Sequence, residues 1–228
     1  MTQLTIVQEF KTPGRGPSGL AWDGTHLWNA DFSRARIFRL DVRQAEASGI
    51  LAPDDELLCP GTLSGLAWDG QGLWQALHND GVVRRLNPTT HDIDMDYAIG
   101  HGWLAGLAWD GRLLWAVAQQ QGQLLGIDPQ SGNVQRTLSA PVAGGGLDFH
   151  ASHLWLGFPD RMTYDSDSES FNWANDPPAF ALAQIDPATG QEVARYGLDF
   201  LPMGVAWVGA DIWLSHARHG KLLRARLP

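Results

Sequence analysis

The 228-residue sequence has a single cysteine, Cys59, so no disulfide can form within it. It has no apolar run approaching the roughly 20 residues that a membrane-spanning helix needs. Its first residues lack the basic stretch followed by an apolar stretch that marks a secretory signal peptide. These absences exclude a disulfide-stabilised scaffold and a helical membrane protein, and they predict a cytoplasmic location.

Basic residues are also scarce, with 16 lysines and arginines against 25 aspartates and glutamates and a formal net charge of -9. A protein of this charge repels nucleic acid and anionic lipid, so neither nucleic acid nor a membrane is expected as a partner. We expect a monomer or a weak homodimer whose ligand is a neutral or cationic small molecule.

The common catalytic signatures are missing as well. The sequence contains no G-x-S-x-G, no Walker loop, no H-E-x-x-H and no paired C-x-x-C. The glycine clusters at 14–16 and 144–146 lack the strand–helix context of a dinucleotide-binding loop. The sequence therefore gives no motif for a serine hydrolase, a nucleotide-binding enzyme or a zinc protease.

Tryptophan, by contrast, is abundant, and nine of the eleven tryptophans belong to a motif that occurs five times. The first copy reads S-G-L-A-W-D-G at residues 18–24 and is followed by Leu27-Trp28. Alternate residues of a strand share one face, so Leu20 and Trp22 lie together, and Asp23-Gly24 is a tight-turn pair. Each copy therefore predicts a β-hairpin with a large aromatic side chain on each arm, buried in the core.

Two further strand-like stretches follow each hairpin, and four antiparallel strands at this period indicate a β-propeller. The repeat glycines stand at 19, 65, 106, 146 and 204, with spacings of 46, 41, 40 and 58 residues. The last repeat ends after its third strand, and residues 4–12 have the character of the missing fourth.

The predicted fold is therefore all-β, a five-bladed β-propeller with four antiparallel strands per blade, in which the N-terminal strand closes the last blade. We expect residues 1–228 to form a single domain, with residues 4–12 completing the fifth blade. The blades start near residues 18, 64, 105, 145 and 203. A six-bladed or oligomer-completed ring is the alternative.

Loop positions divide the predicted propeller into two rims. The turn after the first strand of each blade lies at the bottom rim, and the loops before the first strand and after the second lie at the top rim. Four histidines fall at the bottom rim and are interpreted as solvated turn residues: His26, His91, His150 and His153. Four others, from three repeats, fall in top loops, where they can converge as acid/base groups: His78, His101, His216 and His219.

Copies of the repeat differ at a few positions, and these departures are candidate functional residues. Asn29 and Gln75 follow the second tryptophan of blades 1 and 2, where the other blades have apolar residues, so they predict the polar wall of a top-rim pocket. Asp148 replaces an alanine that the other four copies share. A buried carboxylate is costly unless it is paired, so Asp148 is either salt-bridged or a general acid, general base or metal ligand at the channel.

The spacing of 58 residues reflects an insertion in blade 4, residues 158–178, which is expected at the top rim without secondary structure of its own. Three aromatic residues in this polar segment favour a lid over the channel mouth: Tyr164, Phe171 and Trp173. Three carboxylates at alternate positions are weak candidates for a Ca²⁺ site: Asp165, Asp167 and Glu169. A solvated loop is the alternative.

Together these features predict a small-molecule enzyme of the hydrolase, lyase or cyclotransferase type, with an acid/base site on the top face over the central channel. The candidate catalytic residues are Asp31, His78, His216 and Asp148. The candidate substrate-binding residues are Asn29, Arg34, Gln75, His101, Trp103, Gln119, Tyr164, Trp173 and His219. Such a site needs either no cofactor or a divalent metal, Ca²⁺ or Mg²⁺, in the top face or channel. A non-catalytic ligand-binding propeller and a protein-interaction scaffold are the alternatives.

The G-L-A-W-D-G…L-W repeat, followed by strands ending in I-D, L-D or L-N-P, resembles the blades of several bacterial propellers. Over its whole length the chain is similar to the glutaminyl-peptide cyclotransferase-like five-bladed proteins, and more distantly to the gluconolactonase and streptogramin-lyase propellers. The first resemblance implies cyclisation of N-terminal glutamine, assisted by an acidic residue on the top face. The E-S-T-G stretch of that family is replaced here by residues 29–32, which leaves Asp31 as the corresponding acid. The lactonase resemblance implies a divalent metal on inner strands, where this sequence offers only Asp148.

Overall fold

The computed structural model describes residues 2–173 and 179–228. The chain begins with β1 (Thr2–Gln3) and β2 (Thr5–Lys11). The first blade contains β3 (Pro17–Trp22), β4 (Leu27–Asp31), β5 (Arg36–Leu40), the helix α1 (Val42–Ser48) and β6 (Pro53–Leu58). The second blade contains β7 (Leu63–Trp68), β8 (Leu73–Leu77), β9 (Val82–Leu86) and β10 (Ile93–Ala98). The third blade contains β11 (Leu104–Trp109), β12 (Leu114–Ala118), β13 (Gln123–Ile127) and β14 (Val134–Ser139).

The fourth blade includes a separate hairpin. Its strands are β15 (Leu147–His150), β16 (His153–Asp160), the hairpin strands β17 (Met162–Asp165) and β18 (Ser170–Trp173), then β19 (Ala179–Ile185) and β20 (Glu192–Leu198). The fifth blade contains β21 (Val205–Val208), β22 (Asp211–His216) and β23 (Lys221–Arg226). Five antiparallel sheets form a five-bladed β-propeller, with the first strand of each repeat innermost, so the predicted fold is confirmed. Among the described residues, no helix is both long and apolar enough to cross a membrane.

The hairpin turn of the repeat is built by its aspartate. In the first blade, Asp23 Oδ1 accepts hydrogen bonds from the backbone N–H groups of Thr25 and His26, both at 2.7 Å. Gly24 takes the left-handed conformation that the turn requires, with φ 98°. The other oxygen, Asp23 Oδ2, accepts from Trp28 Nε1 at 2.8 Å. The same bond joins Trp74 to Asp69 and Trp115 to Asp110. The aspartate of the motif is therefore structural, since it satisfies a tryptophan N–H inside the core.

The innermost strands of neighbouring blades meet at the five repeat glycines. A methyl group on Gly19 would collide with the backbone of Ser64 and Leu66 in the next blade. The same contact recurs around the ring, from Gly65 to β11, from Gly106 to β15, from Gly146 to Gly204 and from Gly204 back to Ser18. Only a residue without a side chain allows two strands to approach so closely. The glycine spacing therefore counts the blades.

The hydrophobic core is divided into five clusters, one between each pair of neighbouring blades. Between blades 1 and 2, for example, Trp28 and Ile37 lie against Leu66 and Leu73. The second tryptophan of every repeat is almost completely buried: Trp28, Trp74, Trp115, Trp155 and Trp213. Large aromatic side chains dominate such cores, so these residues pack the blades together, as their spacing predicts.

The N-terminal strand closes the propeller. β2 pairs antiparallel with β23 and forms the outer strand of blade 5, which confirms the predicted closure. Phe10 of this strand stacks on Trp213, with ring centroids 4.9 Å apart. Ahead of it, β1 pairs parallel with β20 of blade 4, with Thr2 opposite Tyr196. Residues 2–11 therefore connect the last two blades.

Removing residues 1–12 is expected to destabilise the protein strongly, because it exposes the edge of β23 and leaves a cavity at the position of Phe10. Loss of a buried phenylalanine alone costs about 3–5 kcal/mol, which lowers the thermal unfolding midpoint of a chain of this size by about 10 °C or more. Circular dichroism measures this midpoint, and removal of residues 1–3, which takes away only β1, is the control. Equal midpoints for the two truncations would contradict the closure.

Replacing Gly65 with alanine tests the contact between inner strands. The new methyl group would meet the backbone of Ala105 and Leu107, so we expect a loss of roughly 3 kcal/mol, the upper end for over-packing. Gly126→Ala is a matched control inside a strand, because its methyl group meets only side-chain atoms at 3.1 Å or more. Denaturant unfolding should separate the two variants, and equal stabilities would show that inner strands can move apart.

Candidate functional site

A cavity of about 360 Å³ lies at the top rim between blades 4 and 5. Its apolar lining comes from Phe180, Phe200, Leu201 and Met203. Its polar lining comes from Asp199, His216, Arg218 and His219. A concave site with apolar walls and a few convergent polar groups is the usual form of a small-molecule pocket.

A short 3-10 helix positions the two histidines of this cavity. β22 ends at His216, the helix follows at residues 217–219, and Gly220, with φ 60°, ends it. The rings of His216 and His219 are stacked, with centroids 4.2 Å apart. Phe200 also stacks on His216, with centroids 4.4 Å apart and planes within 5°. The imidazole of His216 is therefore fixed by ring contacts with two neighbours.

The pKa of His216 is lowered from the ordinary histidine value, chiefly because burial desolvates the ring. The nearby basic groups of His219 and Lys221 lower the pKa of His216 further, while Asp199 and Glu9 oppose this effect. His216 is therefore neutral at pH 7 and able to accept a proton. Within residues 2–173 and 179–228, no group hydrogen-bonds to its ring nitrogens.

A second cavity, of about 400 Å³, adjoins the first and shares Arg218 and His219 with it. Its ionisable lining residues are all of basic type: Lys11, Arg15, Arg218, His219 and Lys221. Lys221 is paired with Glu9, but no described carboxylate lies within ion-pair distance of Lys11, Arg15 or Arg218. This second cavity is thus locally positive although the chain has a formal net charge of -9. The net charge of the chain led us to expect a neutral or cationic ligand. The basic residues of this cavity favour an anionic ligand instead.

Asp31 is fully buried beneath the loop that precedes β3. Its carboxylate accepts hydrogen bonds from the backbone N–H groups of Gly16 and Arg34, both at 3.0 Å, and from the Ser33 hydroxyl. It therefore anchors the loop that carries Arg15 into the basic cavity. The side chain of Arg34 is exposed and lines neither top-rim cavity.

Asn29 and Gln75 lie in the interior, apart from both top-rim cavities. Asn29 Nδ2 donates to the carbonyl groups of Gly19 at 3.3 Å and Ala30 at 3.0 Å. Both polar atoms of the Gln75 side chain are buried without a partner among the described residues. In the structure these amides are polar groups of the packed interior.

His78 belongs to a different group on the top rim, at blades 2 and 3. Its Nε2 lies 2.7 Å from Gln119 Oε1, and its ring stacks on Trp103 with centroids 5.4 Å apart. His101 lies in the loop before Trp103, where its Nδ1 is 3.1 Å from the carbonyl oxygen of Ile99. No described contact joins this group to His216, so the structure does not bring the two candidate bases together.

The insertion in blade 4 contains a hairpin, so the expectation of a segment without secondary structure is wrong. β17 and β18 pair antiparallel along their length. Phe171 lies against Tyr164 and Trp103, with centroids 5.0 and 5.9 Å away, and the Tyr164 hydroxyl accepts from Gln120 Nε2 at 2.7 Å. The hairpin therefore contacts the loops of blade 3. The side chain of Trp173 and residues 174–178 lie outside the described part of the chain.

The acidic residues of the hairpin form its turn. Asp165 accepts hydrogen bonds from the Asp167 backbone N–H at 2.9 Å and from the Ser168 hydroxyl at 2.8 Å. These bonds, with that of Ser168 first, lower the pKa of Asp165. Glu169 follows in a left-handed conformation with φ 49°. Among the described residues, no group of three acidic, histidine or cysteine side chains is arranged to hold a metal ion.

Asp148 lies at the opposite, bottom rim, in a cavity of about 240 Å³ at the end of the channel. Its carboxylate accepts hydrogen bonds from the backbone N–H groups of Trp207 at 2.7 Å and Phe149 at 2.8 Å. Desolvation outweighs these bonds and raises the pKa of Asp148 to about 7. Asp148 is therefore separated from the top-rim histidines, and no cationic side chain pairs with it within the described residues.

His150 lines the same bottom cavity, so its interpretation as a solvated turn residue is wrong. It stacks on Trp207 with centroids 4.2 Å apart, and burial lowers its pKa. The sequence held a signal for this, because His150 stands where other copies have the turn aspartate. Its backbone carbonyl, at 3.3 Å, accepts the Trp155 indole N–H that the aspartate binds elsewhere.

Sequence reasoning also missed the walls of the top-rim cavities. Phe200 and Met203 come from the loop before β21, and Lys11 and Arg15 come from the segment before β3. The repeat gives no signal for them, because loop conformation decides which of these residues converge.

No family model matches the sequence, and neither does any curated protein. The crystal structure of Myxococcus xanthus glutaminyl cyclase superposes with a TM-score of 0.73 at 16% identity, covering 98% of this chain and 95% of that one. The chain shares the propeller fold of that glutaminyl cyclase. A chain in the crystal structure of the Mitotic Checkpoint Complex superposes with a TM-score of 0.59 at 13% identity, covering 100% of this chain and 93% of that one. Identities this low establish a shared fold, and the chemistry of this propeller rests on its own residues.

Asp148→Ala tests the desolvated carboxyl group of the propeller. Below pH 4 the group is protonated in both the folded and unfolded states, and between pH 4 and 7 it ionises only in the unfolded chain. The free energy of unfolding of the wild type therefore falls as pH rises from 4 to 7. Relative to the wild type, that of the alanine variant increases by up to roughly 1.4 kcal/mol per pH unit.

Urea unfolding of both proteins at several pH values measures this difference in free energy. All other titratable groups, including His150 and the turn aspartates, are the same in the two proteins, so their pH dependence cancels. Asp148→Asn is the control and should follow the same pH dependence, since it also lacks the ionisable group. A stability difference that stays constant from pH 4 to 7 would contradict the raised pKa.

Proposed function

We propose that this propeller is a small-molecule enzyme whose acid/base site is the top-rim cavity between blades 4 and 5. The proposal is carried by His216, a neutral imidazole held against Phe200 and His219 in a cavity that is also lined by apolar residues, Arg218 and Asp199. Histidine is the most frequent general base in enzymes, because its pKa lies near the working pH. The residues at the same position in the other blades are Asp31, Leu77, Ala118 and Phe158.

In the proposed reaction, His216 takes a proton from the substrate or from water and returns it to the leaving group. Asp199 and Glu9 favour the charged form of the imidazole that this step creates. His219 disfavours simultaneous protonation of both rings, since like charges 4.2 Å apart repel. Hydrolysis, elimination and cyclisation all fit this arrangement, because each proceeds by proton transfer.

The cavity linings suggest the class of substrate. An apolar part fits against Leu201 and Met203, and a negatively charged group fits beside Arg218, with Arg15 and Lys11 in the adjoining cavity. Arginine donors also stabilise negative charge that develops in a transition state. We therefore propose a substrate with a short apolar group next to a carboxylate or phosphate.

The likeness to a glutaminyl cyclase selects the first reaction to assay, which is cyclisation of a short glutaminyl peptide with a free carboxylate. Asp31, the acid that corresponds by sequence, is buried and fully hydrogen-bonded. In our proposal it positions the loop of Arg15, and His216 is the base.

Replacing His216 with alanine is expected to lower kcat by about 10²–10⁴-fold with little change in KM, as removal of a general base does. Wild-type kcat/KM should fall as pH decreases below 6.5, because the protonated ring cannot accept a proton and its pKa is depressed. Steady-state kinetics on the peptide, and on hits from a metabolite thermal-shift screen, measure both effects. His153→Ala, a histidine at the bottom rim, is the matched control.

Arg218→Gln separates binding from chemistry, since it should raise KM for an anionic substrate and leave kcat nearly unchanged. An unchanged kcat in His216→Ala would remove His216 as the base. If the wild type binds ligands at this cavity without turning them over, the protein is a ligand-binding module and not an enzyme.

A further inference from the structure

The bottom end of the channel is lined by one aromatic residue from every blade. The five residues are the first aromatic of each repeat copy: Trp22, Trp68, Trp109, Phe149 and Trp207. All but Trp207 are partly exposed, so the cavity communicates with solvent. Its volume of about 240 Å³ is below the range of drug-sized pockets, so it suits a small ligand.

A single carboxylate, Asp148, lines this cavity together with the five aromatic residues. It is held by two backbone N–H groups, and no arginine or lysine among the described residues pairs with it. His150, the other titratable group of the cavity, stacks on Trp207, and burial disfavours its charged form. The cavity therefore contains a fixed acidic group without a counter-ion.

We propose that this bottom cavity binds a small organic cation, an alkylammonium group, between the aromatic residues and Asp148. Aromatic rings attract alkylated ammonium ions through their quadrupoles, and a buried carboxylate is stabilised by a cation beside it. The site lies at the opposite rim from His216 and shares no lining residue with its cavity, so this proposal does not depend on the proposed enzyme activity.

The residue types favour an organic cation over a metal ion. Calcium takes six to eight oxygen ligands, and magnesium requires an octahedral set. The cavity offers one carboxylate, and the described residues contain no cluster of three metal-binding side chains. Indole rings, in contrast, are the strongest side-chain partners of a soft, weakly hydrated ammonium ion.

The other copies of the repeat show which substitution of Asp148 the fold tolerates. Four blades have alanine at the position of Asp148, namely Ala21, Ala67, Ala108 and Ala206. Asp148→Ala therefore restores the residue that this backbone accepts elsewhere, and the variant is expected to fold. Any loss of cation binding in it reports on the carboxylate rather than on a damaged propeller.

The experiment is a titration of the wild-type protein with tetramethylammonium chloride, followed by NMR of the indole N–H signals. We expect saturable shifts of the signals of Trp22, Trp68, Trp109 and Trp207, with Trp103 at the top rim unaffected. Potassium chloride controls for ionic strength, and tert-butyl alcohol is the neutral analogue of similar shape. Neither should produce the saturable shifts.

Asp148→Ala should weaken binding by about 10-fold or more, and Trp109→Leu should weaken it by about 3-fold or more, while Trp103→Leu should not change it. A peptide carrying trimethyl-lysine tests the source of the ammonium group. If the peptide binds more tightly than tetramethylammonium, the natural ligand is a methylated lysine side chain rather than a free small cation. Absence of saturable shifts with tetramethylammonium, equal binding by Asp148→Ala, or equal binding of the neutral analogue would each overturn the proposal.

Discussion

The close contact of five glycines on the innermost strands sets the geometry of the whole molecule. Each glycine lies so near the backbone of the next blade that a single carbon atom would not fit, and the contacts return from Gly204 to Ser18. Serine hydroxyls bond across the same interface, Ser18 to the Leu63 carbonyl and Ser215 to the Ser18 carbonyl. The inner strands thus leave little room for side chains along the middle of the axis. Ligands are consequently expected at the two ends, where the strands diverge.

The two ends have different chemistry because different parts of the repeat supply them. Loops build much of the top rim, so its lining mixes apolar residues, histidines and cations such as Arg15 and Arg218, which have no ion-pair partner among the described residues. The repeat itself builds the bottom rim, so every blade contributes the same aromatic position there. Asp148 and His150 interrupt that symmetry in one blade. A protein with an overall negative charge therefore carries a basic cavity at one rim and an acidic, aromatic cavity at the other.

Much of the fold was predictable, because the glycine spacing and the alternation of Leu20 and Trp22 record backbone geometry directly. The closure by β2 followed from the last repeat lacking a strand. The candidate site was less predictable. Asp148 was found as a departure from alanine, and its place just before a hairpin turn also fixes its rim. Phe200 and Arg15 lie in loops and Lys11 ends β2 beside one, and the paths of such loops depend on contacts such as the one between Asp31 and Gly16. Gln75, predicted as part of a pocket wall, is fully buried in its strand and lines neither of the two top-rim cavities.

The repeat also distinguishes residues that the fold needs from residues that it tolerates. Asp23, Asp69 and Asp110 each satisfy a tryptophan N–H, so these carboxylates stabilise the propeller. Asp148 instead accepts hydrogen bonds from the backbone N–H groups of Trp207 and Phe149, and the other four blades have alanine at its position. Burial raises its pKa to about 7, which means that its charged form destabilises the fold at neutral pH. The organic cation proposed for the bottom cavity would favour the charged form of this carboxylate and so offset that cost.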